Sequence, residues 1–330
     1  MAVEKQKNRQ GFILLSLAIA LGPWAVRGNY MVSVMILVAI YGVLALGMEL
    51  LMGQTGLFSL AHPIWFGLGA YISGIVSARG ILSPMASIVM AGGLVAIIAL
   101  AIGAPVLRLK GFYLACATFA IIIIAQVAAA QWTDLTGGPE GLVGIPALSI
   151  FGYRFTSDLQ FYYLSWIYCL GCYLFCSNLL SSRIGRALRA LRDSESASSS
   201  VGVHVAFHKL QIFVLTAAMA AVAGGIFCFY LRFVVPDSFG FPLLLELLMM
   251  TILGGLGDIR GALIGTISVV WLKEFLNTYL RKGFPSISGE IDTVFFGVLI
   301  IVVLIFMPRG LVGWVDQATT FLRRGIRHEA

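Results

Sequence analysis

Along this chain of 330 residues, apolar runs of membrane-crossing length alternate with short connections that carry most of the charge. The runs fall at about 11–26, 30–53, 58–78, 83–107, 111–132, 158–180, 210–231, 241–257, 261–280 and 291–307. A helix needs roughly 20 apolar residues to cross a hydrocarbon core about 30 Å thick, so the pattern predicts about ten transmembrane helices. Two connections are long: 133–157, rich in Gly and Pro, and 182–209, which is basic. One transmembrane domain, 1–330, accommodates all of this. The expected fold class is therefore all-α, a polytopic membrane protein.

Within 182–209 the period of the pattern changes. Ile184, Ala187, Leu188 and Leu191 recur at i, i+3, i+4 and i+7, the stripe of an amphipathic helix, while Arg183, Arg186, Arg189 and Arg192 occupy the remaining surface. Four arginines at mid-bilayer would cost on the order of 10 kcal/mol, at about 2.5–3.5 each, which excludes a crossing here. Asp193-Ser194-Glu195-Ser196-Ala197 then brings acids and small residues, and Gly202 breaks the chain before Lys209 re-enters the membrane. A helix with one greasy and one charged face suits either a protein partner or a layer of anionic lipid.

Composition agrees with the pattern. The chain is 59% hydrophobic and 11% charged, far from the soluble average of about 25% charged, and its 37 glycines suit close-packed helices better than a barrel. A net charge of +7 would raise nucleic acid as a partner for a soluble domain. Here the cations sit in the connections, a signature of topology, and no nucleic-acid partner is expected. With the N-terminus inside, fifteen Lys and Arg fall in inner connections against six in outer ones. Both termini and 182–209 are thus expected on the cytoplasmic side, and 133–157 outside. The basic start and Ala18-Ile19-Ala20 resemble a cleavable signal, but the apolar run continues to Val26, so a retained first helix is expected.

Glu49, His62 and Glu246 are ionisable groups at membrane depth, candidates either for lining a pathway or for clamping helices together. Gln54, Thr55 and Ser59, beside two glycines, mark a place where a helix is interrupted. Glu49-Leu50-Leu51-Met52 is echoed by Glu246-Leu247-Leu248-Met249, either an inverted repeat of the kind transporters use or a coincidence in a Leu-rich chain. Gly257, Gly261 and Gly265 recur every four residues, the spacing that lets helix backbones approach. Lys273 is expected to reach towards an interface. The five cysteines lie in apolar runs without His or acidic neighbours and read as packing, with no metal site. The run Gly255-Leu256-Gly257-Asp258-Ile259-Arg260-Gly261 has the wrong spacing and setting for a dinucleotide fingerprint. The chain contains no GxxxxGK[ST], HExxH or GxSxG, so it is expected neither to hydrolyse ATP nor to be an enzyme, and to hold no cofactor of its own.

Ser182 to Ala197, with Gly202 and Lys209 leading into the next span, resembles the cytoplasmic coupling loop of branched-chain amino acid ABC transporter permeases. Gly53 to His62 with Phe66-Gly67-Leu68-Gly69-Ala70-Tyr71 resembles that family's signature around its third span, and Leu135 to Leu142 its external turn. Leu253-Gly254-Gly255-Leu256-Gly257 with Gly261 and Gly265 is similar to its late glycine-rich segment. The resemblance covers about 35–312, and Gly111-Phe112-Tyr113 suggests the LivM type. It implies a permease subunit of a bacterial ABC importer in the cytoplasmic (inner) membrane, working by alternating access. Its implied partners are a second related permease, two ATP-binding subunits carrying the ATP and Mg, and a periplasmic or extracellular substrate-binding protein. The loop residues expected at the ATPase are Arg183, Gly185, Arg186, Arg189, Arg192, Glu195, Ala197 and Gly202. The pathway candidates are Glu49, Gln54, Ser59, His62, Glu246, Gly254 and Gly255. Leucine, isoleucine and valine are the implied substrates, and similar permeases handle urea, short amides or aromatic acids. Departures at Ala61, Pro63, Asp258 and Arg260 bear on substrate and local pathway shape. The rival readings are an ATP-independent secondary transporter or channel, which would move solute alone, and a scaffold bound to lipid headgroups.

Overall fold

The computed structural model describes residues 29–150 and 152–283, together with 298, 305 and 310–313. The expected crossing at 11–26, both termini, and all but two positions of the crossing at 291–307 lie outside the described residues. The remaining eight apolar runs are helices. They are α1 (Asn29–Met48), α2 (His62–Ala78), α3 (Pro84–Val106), α4 (Phe112–Gln131), α5 (Asp158–Ser181), α8 (Val205–Leu231), α9 (Phe241–Gly254) and α10 (Ile259–Gly283). Two shorter helices, α6 (Arg183–Asp193) and α7 (Glu195–Ser200), make up most of the basic connection. Among the described residues, six stretches are long and apolar enough to cross a membrane: Tyr30–Gln54, Pro84–Val106, Phe112–Gln131, Asp158–Ser181, Val205–Leu231 and Pro236–Gly254. The chain is thus a multi-pass α-helical membrane protein. Among the described residues the paired strands are confined to a two-residue hairpin in the 133–157 connection, where Ser149–Ile150 (β1) pairs antiparallel with Tyr153–Arg154 (β2).

The connections segregate to two ends, as alternating crossings require. At one end Leu142 and Val234 form an isolated antiparallel bridge, with Leu142 N–H donating to the Val234 carbonyl at 2.8 Å. Ser77, Leu82 and Pro84 there share a recess with Ala147, Ser149 and Arg154. At the other end, the segment after α1, helix α6 and the turn between α9 and α10 meet.

Helices α1 and α8 form the centre, 72% and 78% buried in their most apolar windows, against 33% and 22% for α3 and α4. Apolarity on all sides of a helix permits either position; glycine decides which helices close on each other. Gly69 of α2 lies on the backbone of Ala221, and Gly224 of α8 lies on the carbonyl of Phe66, leaving no room for a Cβ at either. Phe66 fills the gap beside this seam, its ring centroid 5.2 Å from that of Phe227 and 5.4 Å from that of Phe239.

Helices α9 and α10 pack antiparallel in the same way, Gly261 on Gly254 and Gly265 on the Met250 carbonyl. The expected four-residue glycine ladder is shorter than its spacing suggested. Gly257 stands outside it, in the turn, at φ 102°. The cause is Asp258, which caps α10 by accepting from Arg260 N–H at 2.9 Å and so starts the helix after Gly257. Lys273 also departs from expectation: its ammonium bonds Glu246 on α9, which the glycine seam has brought within reach, instead of extending to an interface. Four of the cysteines are buried and free, whereas Cys116 faces outward on α4.

Candidate functional site

Helix α6 is built by its ends. Ser182 caps it, its Oγ accepting from Ile184 N–H at 3.1 Å. Gly185 sits on the backbone of Leu180 at the turn from α5, where a larger residue would not fit. Leu188 and Leu191 are buried and Ile184 and Ala187 half-buried, so the apolar stripe read from the spacing is the face that docks on the membrane domain. Arg183, Arg186 and Arg189 point into solvent.

The fourth arginine behaves differently. Arg192 lays its stem against Gly56 and donates from Nη1 to the Gly53 carbonyl at 2.5 Å. One residue beyond the end of α6, Ser194 caps α7, accepting from Ala197 N–H at 3.2 Å. Glu195 then pairs with Lys209, which is buried on the first turns of α8. Ala197 and Gly202 are exposed, and Gly202 at φ 86° turns the chain back into α8. Of the eight loop residues predicted for the ATPase, Arg183, Arg186, Arg189, Ala197 and Gly202 are available to a partner. Gly185, Arg192 and Glu195 also contact the membrane domain, Gly185 through Leu180, Arg192 from an exposed position through the Gly53 carbonyl, and Glu195 through Lys209.

Arg192 reaches the point where α1 is interrupted. There the helix widens into a π-helical turn, Glu49–Gln54, whose wider winding sets residues five apart side by side. Glu49 is fully buried. Its Oε1 accepts from Gln54 Nε2 at 3.3 Å and from Gly257 N–H at 2.7 Å, while Gln54 Nε2 also donates to the Gly257 carbonyl at 2.8 Å. Gly53 is required because the Glu49 carboxylate occupies the space of its missing Cβ. Leu57 N–H closes the turn on the Leu51 carbonyl at 2.9 Å. The chain then runs without helix to Ala61, tied to α4 by Leu60 N–H donating to Thr118 Oγ1 at 3.0 Å. The interruption expected around Gln54, Thr55 and Ser59 is therefore present, and its freed backbone groups are taken up in part by side chains from two other elements, Arg192 of α6 and Thr118 of α4.

His62 opens α2, buried where Gly47 of α1 makes room for its ring. Neither ring nitrogen has a hydrogen-bond partner among the described residues, and the Ser59 hydroxyl and Glu49 Oε2 share that condition. The predicted pathway residues thus divide. Glu49 and Gln54 meet the turn that begins at Gly254 and Gly255, Ser59 and His62 follow on the same interrupted segment, and Glu246 lies apart in its pair with Lys273. Sequence reasoning did not identify Gly257, Lys209 or the inward turn of Arg192. The surplus of acids over visible partners at Glu49, Glu195 and Glu246 was the available signal.

Residues 30–304 match the family described as the branched-chain amino acid transport system permease component. The chain belongs to that family. The high-affinity branched-chain amino acid transport system permease protein LivM of Escherichia coli K12 is 30% identical over 336 residues, covering 94% of this permease and 76% of its own length. A probable branched-chain amino acid transport permease protein LivM of Methanocaldococcus jannaschii is 24% identical, covering 78% of this chain and 80% of that one. The LivH permease protein of E. coli K12 is 27% identical, covering 83% and 91%. No solved structure matches the permease.

Proposed function

We propose that this permease is one membrane-spanning subunit of an ATP-driven importer of branched-chain amino acids in a bacterial cytoplasmic membrane. It pairs with a second related permease, is driven by two ATP-binding subunits that carry the ATP and Mg, and receives its substrate from an external binding protein. Both termini and α6 face the cytoplasm. The substrate assignment is supported by the names of its relatives, and the mechanism by one observation. A capped helix, anchored by Leu188 and Leu191, holds out Arg183, Arg186 and Arg189 at the end of the molecule where α1 is broken.

The chain's own residues divide the labour. The three exposed arginines offer charge-assisted hydrogen bonds to an acidic groove on each motor. Gly185 lets α6 sit close to α5, and Glu195 and Lys209 fix the far end of the loop to α8. When ATP draws the motors together, α6 moves with them and the helices it is fastened to reorient around a central passage. Charge reversal at Arg186 tests this in proteoliposomes holding the full complex. Arg186→Glu is expected to cut substrate-stimulated ATP hydrolysis by more than tenfold with membrane insertion unchanged. Undiminished stimulation, or uptake of leucine, isoleucine and valine by the isolated chain without motors, would overturn the reading.

A further inference from the structure

We infer that Arg192 is a positioning residue that fastens the arginine helix to the break after α1, and through Glu49 and Gln54 to the α9–α10 turn, so that movement of α6 opens the inner end of the permease. The inference rests on the reading of α6 as the motor contact. Its geometry stands separately.

Three segments distant in sequence converge on one polar knot. Arg192 Nη1 donates to the Gly53 carbonyl, a group exposed by the π-helical turn. Gly257, in the α9–α10 turn, lies close enough to that guanidinium that a Cβ on it would stand 2.8 Å from Nη1. Glu49 and Gln54 complete the ring by gripping both the amide and the carbonyl of Gly257, at 2.7 Å and 2.8 Å. Each glycine is required by the arrangement: Gly53 by the Glu49 carboxylate, Gly56 and Gly257 by left-handed backbone at φ 69° and 102° as well as by Arg192. Among the described residues Arg183, Arg186 and Arg189 make no such contact inward, whereas Arg192 reaches inward from an exposed position on the same helix.

A helix held this way cannot shift by a few ångströms without Arg192 either dragging the break after α1 or letting it go. Either event loosens the hold of Glu49 and Gln54 on the α9–α10 turn, because Gly53 and Gln54 belong to the same π-helical turn. Hydrogen bonds to a charged donor in a partly buried setting are strong enough to transmit such a displacement. The knot is thus a latch whose closed form is the one described here, and its release belongs to the ATP-bound stage of the cycle.

A reversible cross-link tests it directly. A Cβ on Gly56 would lie 3.9 Å from the Cβ of Arg192, inside the roughly 3.5–4.5 Å window of a disulfide. The pair Gly56→Cys with Arg192→Cys, in the full complex with Cys116→Ser to remove the exposed thiol, is expected to cross-link on mild oxidation in the nucleotide-free state. Cross-linking should fall at least fivefold when ATP and vanadate trap the motors, and the linked complex should lose uptake until a reductant restores it. Failure to cross-link at rest, equal cross-linking in both states, or full uptake while linked would each overturn the latch. Should the cysteine pair not assemble, Arg192→Gln carries the test. It is expected to keep the motors bound and basal ATP hydrolysis within about twofold, while uptake per ATP falls at least tenfold. A merely structural role would lower assembly and hydrolysis together, and unchanged uptake per ATP would refute the inference. If the unsubstituted complex shows no ATP-dependent uptake, the proposed function fails first, and the two failures are told apart.

Discussion

The seam between α2 and α8 gives a prediction whose sign and size both follow from geometry. A methyl added at Gly224 would overlap the Phe66 carbonyl oxygen and stand 2.9 Å from its carbon and 3.0 Å from the Ala70 nitrogen, all backbone atoms of α2. Backbone in a regular helix cannot swing aside as a side chain can, so the two helices must part by roughly 1 Å along a close-packed interface. Overpacking of this kind costs about 1–3 kcal/mol, and exchanging Gly for Ala inside a helix returns up to about 1. Gly224→Ala should therefore destabilise the protein by about 1–2 kcal/mol, or roughly five- to thirtyfold in the folding equilibrium. Gly93 supplies the opposite case: it is exposed on α3 and a Cβ there meets nothing within 4 Å. Gly93→Ala should leave stability unchanged or raise it by up to about 1 kcal/mol. Titrating the purified protein in mild detergent with a denaturing one, with helicity as readout, resolves the difference. If Gly224→Ala shifts the midpoint no further than Gly93→Ala, or in the same direction, the close-approach argument is wrong.

Two further outcomes follow from the ion pairs. Lys273→Met leaves the Glu246 carboxylate buried without its cation and is expected to cost about 2–4 kcal/mol, while Lys273→Met with Glu246→Leu recovers most of that loss; the same detergent titration measures both. Glu195→Ala removes the anion facing the buried Lys209, so α7 should open more readily. Hydrogen exchange of amides 195–203 should rise about tenfold while that of α6 up to Leu191 stays within twofold, and uniform exchange across the loop would refute the clamp.

The amphipathic loop was legible because its evidence is local. The period of Ile184, Leu188 and Leu191 names the buried face, and Ser182 and Ser194 stand where capping residues belong. The break near Gln54 was legible for a similar reason, since polar residues between glycines contradict the apolar runs on either side. The destination of a long side chain was not. Arg189 and Arg192 are three positions apart on one helix with the same chemistry, and only the three-dimensional position of the Gly53 carbonyl turns one inward. Lys273 read as a group seeking water for the same reason: its partner is 27 residues away, on a helix brought close by glycines. The glycine spacing itself misled at Gly257, where a capping aspartate outweighed the four-residue repeat. Gly69 and Gly224, which close the central seam, share no local period and became visible only as a pair.

The clamp at the far end of the basic loop has a consequence for recruitment. With Glu195 held by Lys209, two serine caps in place and Leu188 and Leu191 sunk into the membrane domain, the segment has lost its conformational freedom before any motor arrives. A motor that docks there need not restrain a wandering chain, so more of its contact energy remains as affinity. Such a handle also has little slack, and a push of a few ångströms at one end is felt undiminished at the other.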